Sequence, residues 1–455
     1  MAVPQTIMED MVANERRTLV VGLGKTGLSV ARYLLHRGIP VAIVDSRAEP
    51  PGLKQLRADL PADVALFLGG FEDAVFDRAE QIIVSPGVAL TTPQLQAARE
   101  RGIAITGDIE LFAQVATAPV VAITGSNGKS TVTTLLNAMA QRAGVTVRTG
   151  GNIGTPALDL LGDTEPDLYV LELSSFQLET TQSLQPAAAV VLNISADHMD
   201  RYPDMEAYAA AKQAIYSHAA LQIVNADDPA AARLADPDRP QVRYTQQTPA
   251  AGEYGICARE GITWLACGDE MIMPVSEIGM AGRHNTVNAL AALALGAAVG
   301  LPRDAMVETL REFHGLPHRM QRVSEHNGVT WYNDSKGTNV GATLAAIDGV
   351  DTRVVLIAGG DAKGADLSPL ADALQRKGRG AVLIGKAAAE LQSLLAGVLP
   401  VELADAMTQA VELAAGMAQP GDAVLLSPAC ASTDMYRDFR ERGDVFVAAV
   451  RELGS

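Results

Sequence analysis

Short apolar runs alternate along most of the chain with stretches in which hydrophobic positions have helical spacing. The first two runs, Thr18–Val21 and Val41–Asp45, flank a helical stretch at 29–37 that stops at Gly38. The other runs that we interpret as strands lie at 64–68, 82–84, 103–105, 120–123, 168–173, 188–194, 221–224, 329–332, 354–357, 381–384 and 423–426. Buried strands separated by helices are typical of parallel sheets, so the pattern predicts an α/β fold.

Length and the order of these elements predict three domains. A chain of 455 residues exceeds what one hydrophobic core supports. We expect a Rossmann-like N-terminal domain at 1–107, a central P-loop-type ATPase domain with a mainly parallel sheet at 108–315, and a Rossmann-like C-terminal domain at 316–455. Within the central domain, the glycine-rich alternating stretch 239–273 predicts a small antiparallel addition that covers the sheet.

Composition and charge exclude several classes of protein. Hydrophobic residues make up 48% of the chain and charged residues 20%, which is typical of a globular protein. The net charge of −17 argues against a protein that coats nucleic acid or an anionic membrane. Three scattered cysteines predict a reducing compartment and no disulfide framework.

The N-terminus and the longest apolar stretch predict a soluble, cytoplasmic protein. The first 17 residues contain no apolar segment of the kind found in secretory signals. The longest weakly polar run, 288–301, is shorter than the ~20 residues that a membrane span needs. We expect this soluble protein to act as a monomer.

A glycine-rich loop at 120–131, VVAITGSNGKST, is the strongest candidate for nucleotide chemistry. It predicts a buried strand, a tight turn and a helix that begins at Ser130. Backbone N–H groups and the helix dipole would face a phosphate, Lys129 would reach the β- and γ-phosphates, and the Ser130 hydroxyl would bind Mg²⁺. The spacing GxxGKS is shorter than the standard GxxxxGK[ST], which would need glycine at Ile123. A polar loop with a surface lysine is the structural alternative.

A second glycine motif follows the first predicted strand. Gly22, Gly24 and Gly27 fit GxGxxG. Asp45 ends the next strand about 20 residues downstream, where an acid that binds the ribose of NAD would stand. The motif itself specifies only a diphosphate at a helix N-terminus, and Arg47 adds a cation that NAD does not need. A βαβ unit without a ligand is the structural alternative.

Polar residues stand at or near the ends of predicted strands in the central domain. Glu172 lies in the buried strand at 168–173, where a carboxylate is costly unless it is paired or binds a metal; a solvated strand end is the alternative. His198 follows the next strand and suits a metal ligand or an acid–base group, although a single histidine is more often neither. Lys212 lies in a helix and, by composition, is a surface lysine. Asn285 is either a helix N-cap or an amide that contacts a nucleotide base.

Three loops of the C-terminal domain follow strand ends and should converge on one edge of its sheet. They are NDSKGTN at 333–339, GGDAKGAD at 359–366 and SPACASTDMYRDF at 427–439. Lys336 and Lys363 would then face one cleft. Together with Thr338 and Ser432, these lysines predict a receptor for a small dianion.

Two anion sites and a cationic cleft suit an ATP-driven ligase. In such an enzyme a carboxylate attacks the γ-phosphate to form an acyl phosphate, and an amine then attacks the carbonyl and releases phosphate. Because the carboxylate and the γ-phosphate repel each other, metal ions and lysines must neutralise their approach. Glu172 and His198 are the natural metal ligands beyond Ser130.

The motifs of the chain, taken in order, resemble those of the Mur ligase family. They are TGSNGKST, GGNIG, LELSSFQLE, NISADHMDRY, GRHN, LPHR, NDSKGTN, GGDAKGAD and SPACAS, and the similarity is weakest at about 233–273. Within the family, ELSSFQLE and DHMDRY are most similar to the member that adds D-glutamate. The resemblance implies three domains, ATP and Mg²⁺, and addition of D-glutamate to UDP-N-acetylmuramoyl-L-alanine through an acyl phosphate. The product would serve peptidoglycan synthesis, and with it cell-wall biogenesis, cell shape and cell division.

The resemblance also implies roles for residues of this sequence. Those implied to bind the UDP-substrate are Lys25, Thr26, Asp45, Ser46, Arg47, Gly87 and Asn152. Those implied to bind ATP are Gly125, Ser126, Asn127, Gly128, Lys129, Ser130, Thr131, Asn285, Asn288, Arg319 and Asp334. Those implied to bind D-glutamate are Lys336, Thr338, Lys363, Ser432 and Phe439. The implied metal ligands are Ser130, Glu172, His198 and Lys212.

Catalytic roles are implied for Lys129, His198, Lys212 and Lys336. Lys212 matches a position at which the family's lysine is carbamylated, which converts a cation into a carboxylate-like metal ligand. This modification needs an amine that is desolvated enough to be neutral and to capture CO₂. The sequence departs from the family pattern at Ser46, where threonine is common, and at Gly337, where alanine is frequent.

Three other functions fit parts of the sequence. The sister Mur ligase that adds L-alanine also has a Rossmann-like N-terminal domain, but the pair Lys336 and Lys363 suits a side-chain carboxylate better than a methyl group. An NAD-dependent oxidoreductase fits GxGxxG and Asp45 but leaves TGSNGKST unexplained. A non-enzymatic nucleotide-binding or motor module would turn over ATP regardless of which amino acid is present.

Overall fold

Three β-sheets, each flanked by helices, follow one another along the chain in a computed structural model that describes residues 18–59, 64–280 and 282–453. The α/β fold class expected from the sequence, with mostly parallel sheets, is confirmed. The prediction that the N-terminus lacks a secretory signal concerns residues 1–17, which lie outside the described residues. None of the helices in the described part of the chain combines the length and apolar character needed to cross a bilayer.

The first sheet is a five-stranded parallel sheet. Its strands are β1 (Thr18–Val21), β2 (Val41–Asp45), β3 (Ala65–Leu68), β4 (Gln81–Val84) and β5 (Ala104–Thr106). Its helices are α1 (Lys25–His36), α2 (Leu53–Asp59), α3 (Asp73–Phe76) and α4 (Pro93–Glu100). The strand order is β3-β2-β1-β4-β5, so the loops after β1 and β4 open side by side where the order reverses, the usual ligand position in such sheets. Ser85 Oγ joins these two loops by donating to the Gly22 carbonyl at 2.9 Å.

The central sheet has nine strands. They are β6 (Val120–Thr124), β7 (Val147–Gly151), β8 (Leu168–Glu172), β9 (Ala188–Val191), β10 (Gln222–Asn225), β11 (Gln241–Tyr244), β12 (Tyr254–Arg259), β13 (Ile262–Cys267) and β14 (Glu270–Pro274). The helices are α5 (Asp108–Ala113), α6 (Lys129–Arg142), α7 (Ser175–Leu178), α8 (Met205–Gln213), α9 (Pro229–Ala232), α10 (Arg283–Ala298) and α11 (Arg303–Glu312). The order β14-β13-β12-β11-β10-β9-β6-β8-β7 places β6 between β8 and β9, which brings the ends of these three strands together.

The third sheet has six strands, parallel except for its first hairpin. The strands are β15 (Gln321–His326), β16 (Val329–Asn333), β17 (Val354–Gly359), β18 (Gly378–Ile384), β19 (Val401–Leu403) and β20 (Ala423–Leu426). The helices are α12 (Val340–Asp348), α13 (Pro369–Lys377), α14 (Ala388–Leu395), α15 (Met407–Met417) and α16 (Phe439–Leu453). In the order β15-β16-β20-β17-β18-β19, the strands β16, β20 and β17 are neighbours, so the three polar loops that follow them meet at one edge as expected.

The structure differs from the pattern in several elements. Helix α1 begins at Lys25 instead of 29, because the extended backbone of Gly24 lets the helix start inside the glycine motif. The strand expected at 188–194 ends at Val191. The stretch 239–273 extends the edge of the central sheet instead of covering it, since β11 is parallel to β10 and β12 to β14 continue as antiparallel hairpins. The edge strands β15 and β19 carry too few buried apolar residues for their pattern to be recognised.

Apolar packing joins the first two sheets and leaves the third separate. One cluster runs from Val20 of the first sheet and Leu28 of α1 through Phe112 of α5 to Val120 and Tyr169 in the central sheet. In the described residues, the two clusters of the third sheet share no member with those of the other two sheets. The C-terminal sheet therefore meets the rest of the protein mainly through polar groups.

Candidate active site

One cleft of about 1240 Å³ is lined by loops from all three sheets. The predicted UDP-substrate residues on its wall are Lys25, Thr26, Asp45, Ser46, Arg47, Gly87 and Asn152. The predicted nucleotide and metal residues on its wall are Ser126, Asn127, Gly128, Lys129, Ser130, Glu172, His198, Lys212 and Arg319. The predicted amino-acid residues on its wall are Lys336, Thr338, Lys363 and Phe439. Ser432 is buried and is not among the described residues that line this cleft.

The carboxylate of Asp45 is hydrogen-bonded to the backbone and to the Arg47 side chain. Its Oδ2 accepts the Leu23 N–H at 2.7 Å, and its two oxygens accept the Arg47 guanidinium at 2.9 and 2.7 Å. Burial alone would raise the pKa of Asp45, but the hydrogen bonds from Arg47 and Leu23 outweigh it and lower the pKa. The half-exposed guanidinium of Arg47 is thereby held at the cleft as an anion-binding group.

The phosphate loop depends on glycine at two positions. Strand β6 ends at Thr124, and α6 begins at Lys129, one residue before the predicted start. Gly125 and Gly128 have φ values of 149° and 84°, which side chains with a Cβ rarely adopt. A Cβ at Gly128 would also lie 2.6 Å from Asn288 Oδ1. The loop is therefore a tight turn that leads into a helix N-terminus, the geometry that binds a phosphate.

Lys129 lies over its own loop. Its Nζ donates to the carbonyl oxygens of Gly125 at 2.8 Å and Ser126 at 2.9 Å. Burial lowers the pKa of Lys129, and the nearby carboxylates of Glu172 and Asp197 oppose that shift. A cation held in such a poorly solvated place acts strongly on a neighbouring anion.

Glu172 stands beside the phosphate loop because β8 pairs with β6, with Glu172 opposite Ile123. It is buried, and its Oε1 accepts the Asn152 Nδ2 at 2.7 Å. Its Oε2 has no hydrogen-bond partner in the described residues. A buried carboxylate oxygen without a partner is costly, so its position fits a cation ligand.

Lys212 is buried, so the expectation of a surface lysine was wrong. Only 2% of the residue is exposed, and its Nζ donates to the Gly125 carbonyl at 3.0 Å. Burial, followed by the charge of Lys129, lowers the pKa of Lys212 well below its usual range. Composition could not show this, because α8 is an alanine-rich helix that meets the underside of the phosphate loop.

His198 faces the cleft from a strained backbone position. Its φ is 58°, its side chain is 41% exposed, and its Nε2 lies 3.6 Å from Asp197 Oδ2. Burial lowers the pKa of His198, which favours the neutral imidazole that binds metals. In the part of the chain that the structure describes, no three His, Cys, Asp or Glu side chains form a metal-binding group.

The amino-acid wall of the cleft carries two lysines. Lys336 Nζ lies 4.3 Å from the centre of the Phe439 ring, and burial lowers the pKa of Lys336 to about 8. Lys363 lies on the neighbouring loop with a φ of 49°. Lys336 and Lys363 therefore line one cleft from adjacent loops, and their role as a receptor for a dianion stays a prediction.

A second cavity of about 630 Å³ is lined by the remaining residues that are predicted to bind the nucleotide. The predicted residues that line it are Asn127, Gly128, Thr131, Asn285, Asn288, Arg319, Asp334 and Lys336. Asn285 is not the N-cap that one reading of the sequence expected, since α10 begins at Arg283 after Gly282 and Asn285 accepts from Asn288 Nδ2 at 3.1 Å. Gly125 lines neither cavity and contributes its carbonyl to the two lysines.

Contacts from the C-terminal domain reach into the phosphate loop. Arg319 Nη2 donates to Ser130 Oγ at 2.7 Å. Asp334 is held behind Arg319 by the Ser427 hydroxyl at 2.7 Å, and burial raises the pKa of Asp334 to about 7. The nucleotide site is therefore completed by a domain other than the one that carries the loop.

Two buried residues of the site were missed by the sequence analysis. Tyr208 supports the phosphate loop, with its hydroxyl 3.1 Å from Ser126 Oγ and its ring 4.7 Å from Lys212 Nζ. Arg442 donates to the Ser335 carbonyl at 2.8 Å and to the Cys430 carbonyl at 3.2 Å, and so ties two of the polar loops together. Tyr208 lies in the segment MEAYAAAKQ of α8 and Arg442 lies in the segment DFRER, but only their contacts separate them from surface positions.

The three sheets and their shared cleft define a class of protein. It is a multidomain α/β protein with a phosphate-binding loop in its central domain and anion-binding groups on the two domains that flank the loop.

Comparison with known proteins narrows this class. Models of known families match a MurD-like N-terminal domain of Mur ligases at 16–107, the Mur ligase middle domain at 123–296 and the Mur ligase glutamate ligase domain at 318–430. A Nitrosococcus oceani protein named UDP-N-acetylmuramoylalanine–D-glutamate ligase is 56% identical over 438 residues, 96% of each chain. A Pseudomonas syringae protein of the same name is 51% identical over 447 residues, 97% of this chain and 99% of the relative. The chain belongs to the Mur ligase family, so the resemblance inferred from its motifs is confirmed.

Solved structures share the fold at much lower identity. The UDP-N-acetylmuramate-alanine ligase MurC of Thermotoga maritima has a TM-score of 0.59 at 18% identity and covers 96% of this chain and 99% of its own. The MurF ligase of the same organism, in complex with ADP, has a TM-score of 0.60 at 15% identity and covers 91% and 96%. The three-domain arrangement is therefore a shared architecture.

Proposed function

We propose that this protein is an ATP-dependent ligase that joins D-glutamate to UDP-N-acetylmuramoyl-L-alanine in peptidoglycan synthesis. Relatives with that name are 56% and 51% identical over nearly the whole chain. The observation that carries the proposal is the single cleft in which Arg47, Lys129 and Lys336 face one another from three sheets. Each of these cations binds one of the three anionic reactants.

The first step forms an acyl phosphate. An oxygen of the substrate carboxylate attacks the γ-phosphorus of ATP, the bond to the bridging oxygen breaks, and ADP leaves. The phosphate loop orients the triphosphate, and Lys129 reduces the repulsion between the carboxylate and the γ-phosphate. Arg319 brings a second cation to the same place from the C-terminal domain.

The second step forms the amide. The free amino group of D-glutamate attacks the acyl carbon, the C–N bond forms, inorganic phosphate leaves and the nitrogen releases a proton. Lys336 and Lys363 hold the carboxylates of the amino acid, with Lys336 fixed over Phe439. Two cations favour D-glutamate over the L-alanine of the sister ligase, whose side chain carries no charge.

The residues present fit Mg²⁺. The unpartnered Oε2 of buried Glu172 supplies the hard oxygen ligand that this ion prefers. The Ser130 hydroxyl at the start of α6 and the His198 imidazole would complete the protein ligands together with Lys212. When bound, Mg²⁺ neutralises charge on the phosphate oxygens.

Lys212 would join these ligands as a carbamate. Its neutral Nζ would attack the carbon of CO₂, forming an N–C bond and releasing a proton. We therefore predict that removing CO₂ from the assay lowers turnover by about tenfold or more, the typical cost of losing a supporting metal ligand, and that bicarbonate restores it. Isotope-labelled CO₂ should label the wild-type protein and leave Lys212→Arg unlabelled. Full activity without CO₂ together with no label would contradict the carbamate.

We place the reaction in the cytoplasm, where ATP is available. We also infer that the enzyme acts as a monomer, because described loops from all three sheets of one chain line the cleft together. Sedimentation during turnover tests the second point, and an active dimer would contradict it.

The test of the proposed function is which amino acid triggers phosphate release. With ATP, Mg²⁺ and UDP-N-acetylmuramoyl-L-alanine present, D-glutamate should stimulate release strongly, whereas L-alanine and L-glutamate should not. Stimulation by L-alanine with UDP-N-acetylmuramate would instead identify the sister ligase. Phosphate release that ignores the amino acid would rule out a ligase.

A further inference from the structure

Two asparagines pair across the boundary between the phosphate loop and the C-terminal domain. Asn127 Nδ2 donates to Asn339 Oδ1 at 3.3 Å, and Asn339 Nδ2 donates back to Asn127 Oδ1 at 3.2 Å. Asn339 Nδ2 also donates to Asp197 Oδ2 at 3.3 Å, next to His198. Two reciprocal amide bonds fix the relative position of two loops better than one bond would.

Each asparagine is held by its own domain. The Oδ1 of Asn339 caps α12 by accepting the Ala342 N–H at 2.8 Å. The backbone N–H of Asn127 donates to Asn193 Oδ1 at 2.8 Å, and Asn193 Nδ2 donates to the Asn127 carbonyl at 3.0 Å. The Asn127 side chain is held as well, because its Nδ2 donates to Ser195 Oγ at 3.3 Å. Both amides are therefore positioned within their own domains, which lowers the entropy cost of pairing.

The surroundings of this pair are polar. The apolar clusters of the C-terminal sheet are separate from those of the other sheets in the described residues, and Arg319 crosses the boundary to Ser130 through a hydrogen bond. A boundary of this kind opens and closes more easily than an apolar core. A small number of directed hydrogen bonds can then decide how the closed state is aligned.

We propose that Asn339 is a positioning residue that latches the C-terminal domain onto the phosphate loop. It follows Thr338 directly and is the N-cap of α12, so it moves with the loop that carries Lys336. When Asn339 pairs with Asn127, the amino-acid wall is aligned with the γ-phosphate position. This inference rests on the proposed function for its kinetic consequence, but the closure itself does not depend on the reaction.

Two substitutions at Asn339 separate the latch from the helix cap. Serine and aspartate both cap helices well, so α12 should keep its start in Asn339→Ser and Asn339→Asp. Serine is too short to reach Asn127, and aspartate places an oxygen against Asn127 Oδ1 and Asp197 Oδ2. We expect kcat/KM for D-glutamate to fall about tenfold in Asn339→Ser and about a hundredfold in Asn339→Asp, while KM for the UDP-substrate and the unfolding midpoint stay at wild-type values.

A double-mutant cycle tests the pairing itself. If the two amides act through each other, Asn127→Ala should lower kcat/KM less in the Asn339→Ser background than in the wild-type protein. In that background the amide pair is already broken, so only the proposed nucleotide contacts of Asn127 remain to be lost. Wild-type kinetics in both Asn339 variants, or an equal rise in KM for both substrates, would overturn the latch.

Small-angle scattering tests the closure without turnover. The Asn339→Asp protein should have a larger radius of gyration than wild type with ATP and Mg²⁺ bound, and an unchanged radius would overturn the latch. If wild type shows no D-glutamate-dependent phosphate release, the proposed function fails while this measurement still decides the latch.

Discussion

Replacing Lys129 with alanine is expected to lower D-glutamate-dependent phosphate release by about a thousandfold or more. Lys129 is the partly buried cation of the phosphate loop, and its Nζ lies within hydrogen-bond distance of two loop carbonyls. Removing such a charge from a poorly solvated site costs far more than removing it from water. Trapping the acyl phosphate with hydroxylamine measures the first step directly, and no trapped product is expected in Lys129→Ala.

Binding of the UDP-substrate should survive in the same variant. Most of the groups proposed to bind it, such as Arg47, lie on loops of the first sheet, and Arg47 shares no described hydrogen bond with Lys129. Lys54→Ala is the matched control, because it removes one lysine charge from the exposed surface of α2. Undiminished ATP turnover in Lys129→Ala would show that the phosphate loop has been assigned wrongly.

The glycine loops and the strand ends were the most predictable parts of this protein. Strand β20 has the bounds that the pattern predicts, and β6 differs by one residue, because short apolar runs bounded by glycine are strong local signals. Because neighbouring strands of a parallel sheet end at the same edge, the polar residues that follow them lie close together whatever the details of packing are. This is why Lys336 and Lys363, on loops after two strands of one sheet, could be placed in one cleft before any contact was known.

The parts that could not be predicted depend on contacts between distant segments. Lys212 looks like a surface residue in its own helix and is buried because that helix packs under the phosphate loop. Asn339 has no local feature beyond that of a helix cap, and its bonds to Asn127 join residues that are 212 positions apart. Ser432 has the right residue type in the right loop, yet it is buried and is not among the described residues that line the cleft. The sequence pattern predicts which loop a residue lies on, whereas the packing of the folded chain determines which way its side chain points.

Replacing Glu172 with glutamine should also reduce turnover by about a thousandfold and raise the Mg²⁺ concentration needed for half-maximal activity. Glutamine has nearly the same shape and keeps an acceptor for Asn152 Nδ2. It removes the charge of the unpartnered Oε2, which is the proposed metal ligand. It also removes the carboxylate that raises the pKa values of Lys129, Lys212, Arg319 and Lys336. An Mg²⁺ titration of phosphate release measures the effect.

Glu110→Gln distinguishes a lost metal ligand from a lost buried charge. Glu110 is also buried, but its oxygens accept hydrogen bonds from the Gln182 and Ser183 N–H groups and from the Ser183 hydroxyl, away from the cleft. That substitution should lower the free energy of unfolding by about 1–3 kcal/mol and leave the Mg²⁺ titration unchanged. Glu172→Gln should instead shift the Mg²⁺ titration and should not lower the free energy of unfolding in the same way. The reason is that Glu172 Oε2 accepts no hydrogen bond in the ligand-free protein, so none is lost there. If both variants shift the Mg²⁺ titration equally, or neither does, then Glu172 is a structural carboxylate and not the metal ligand.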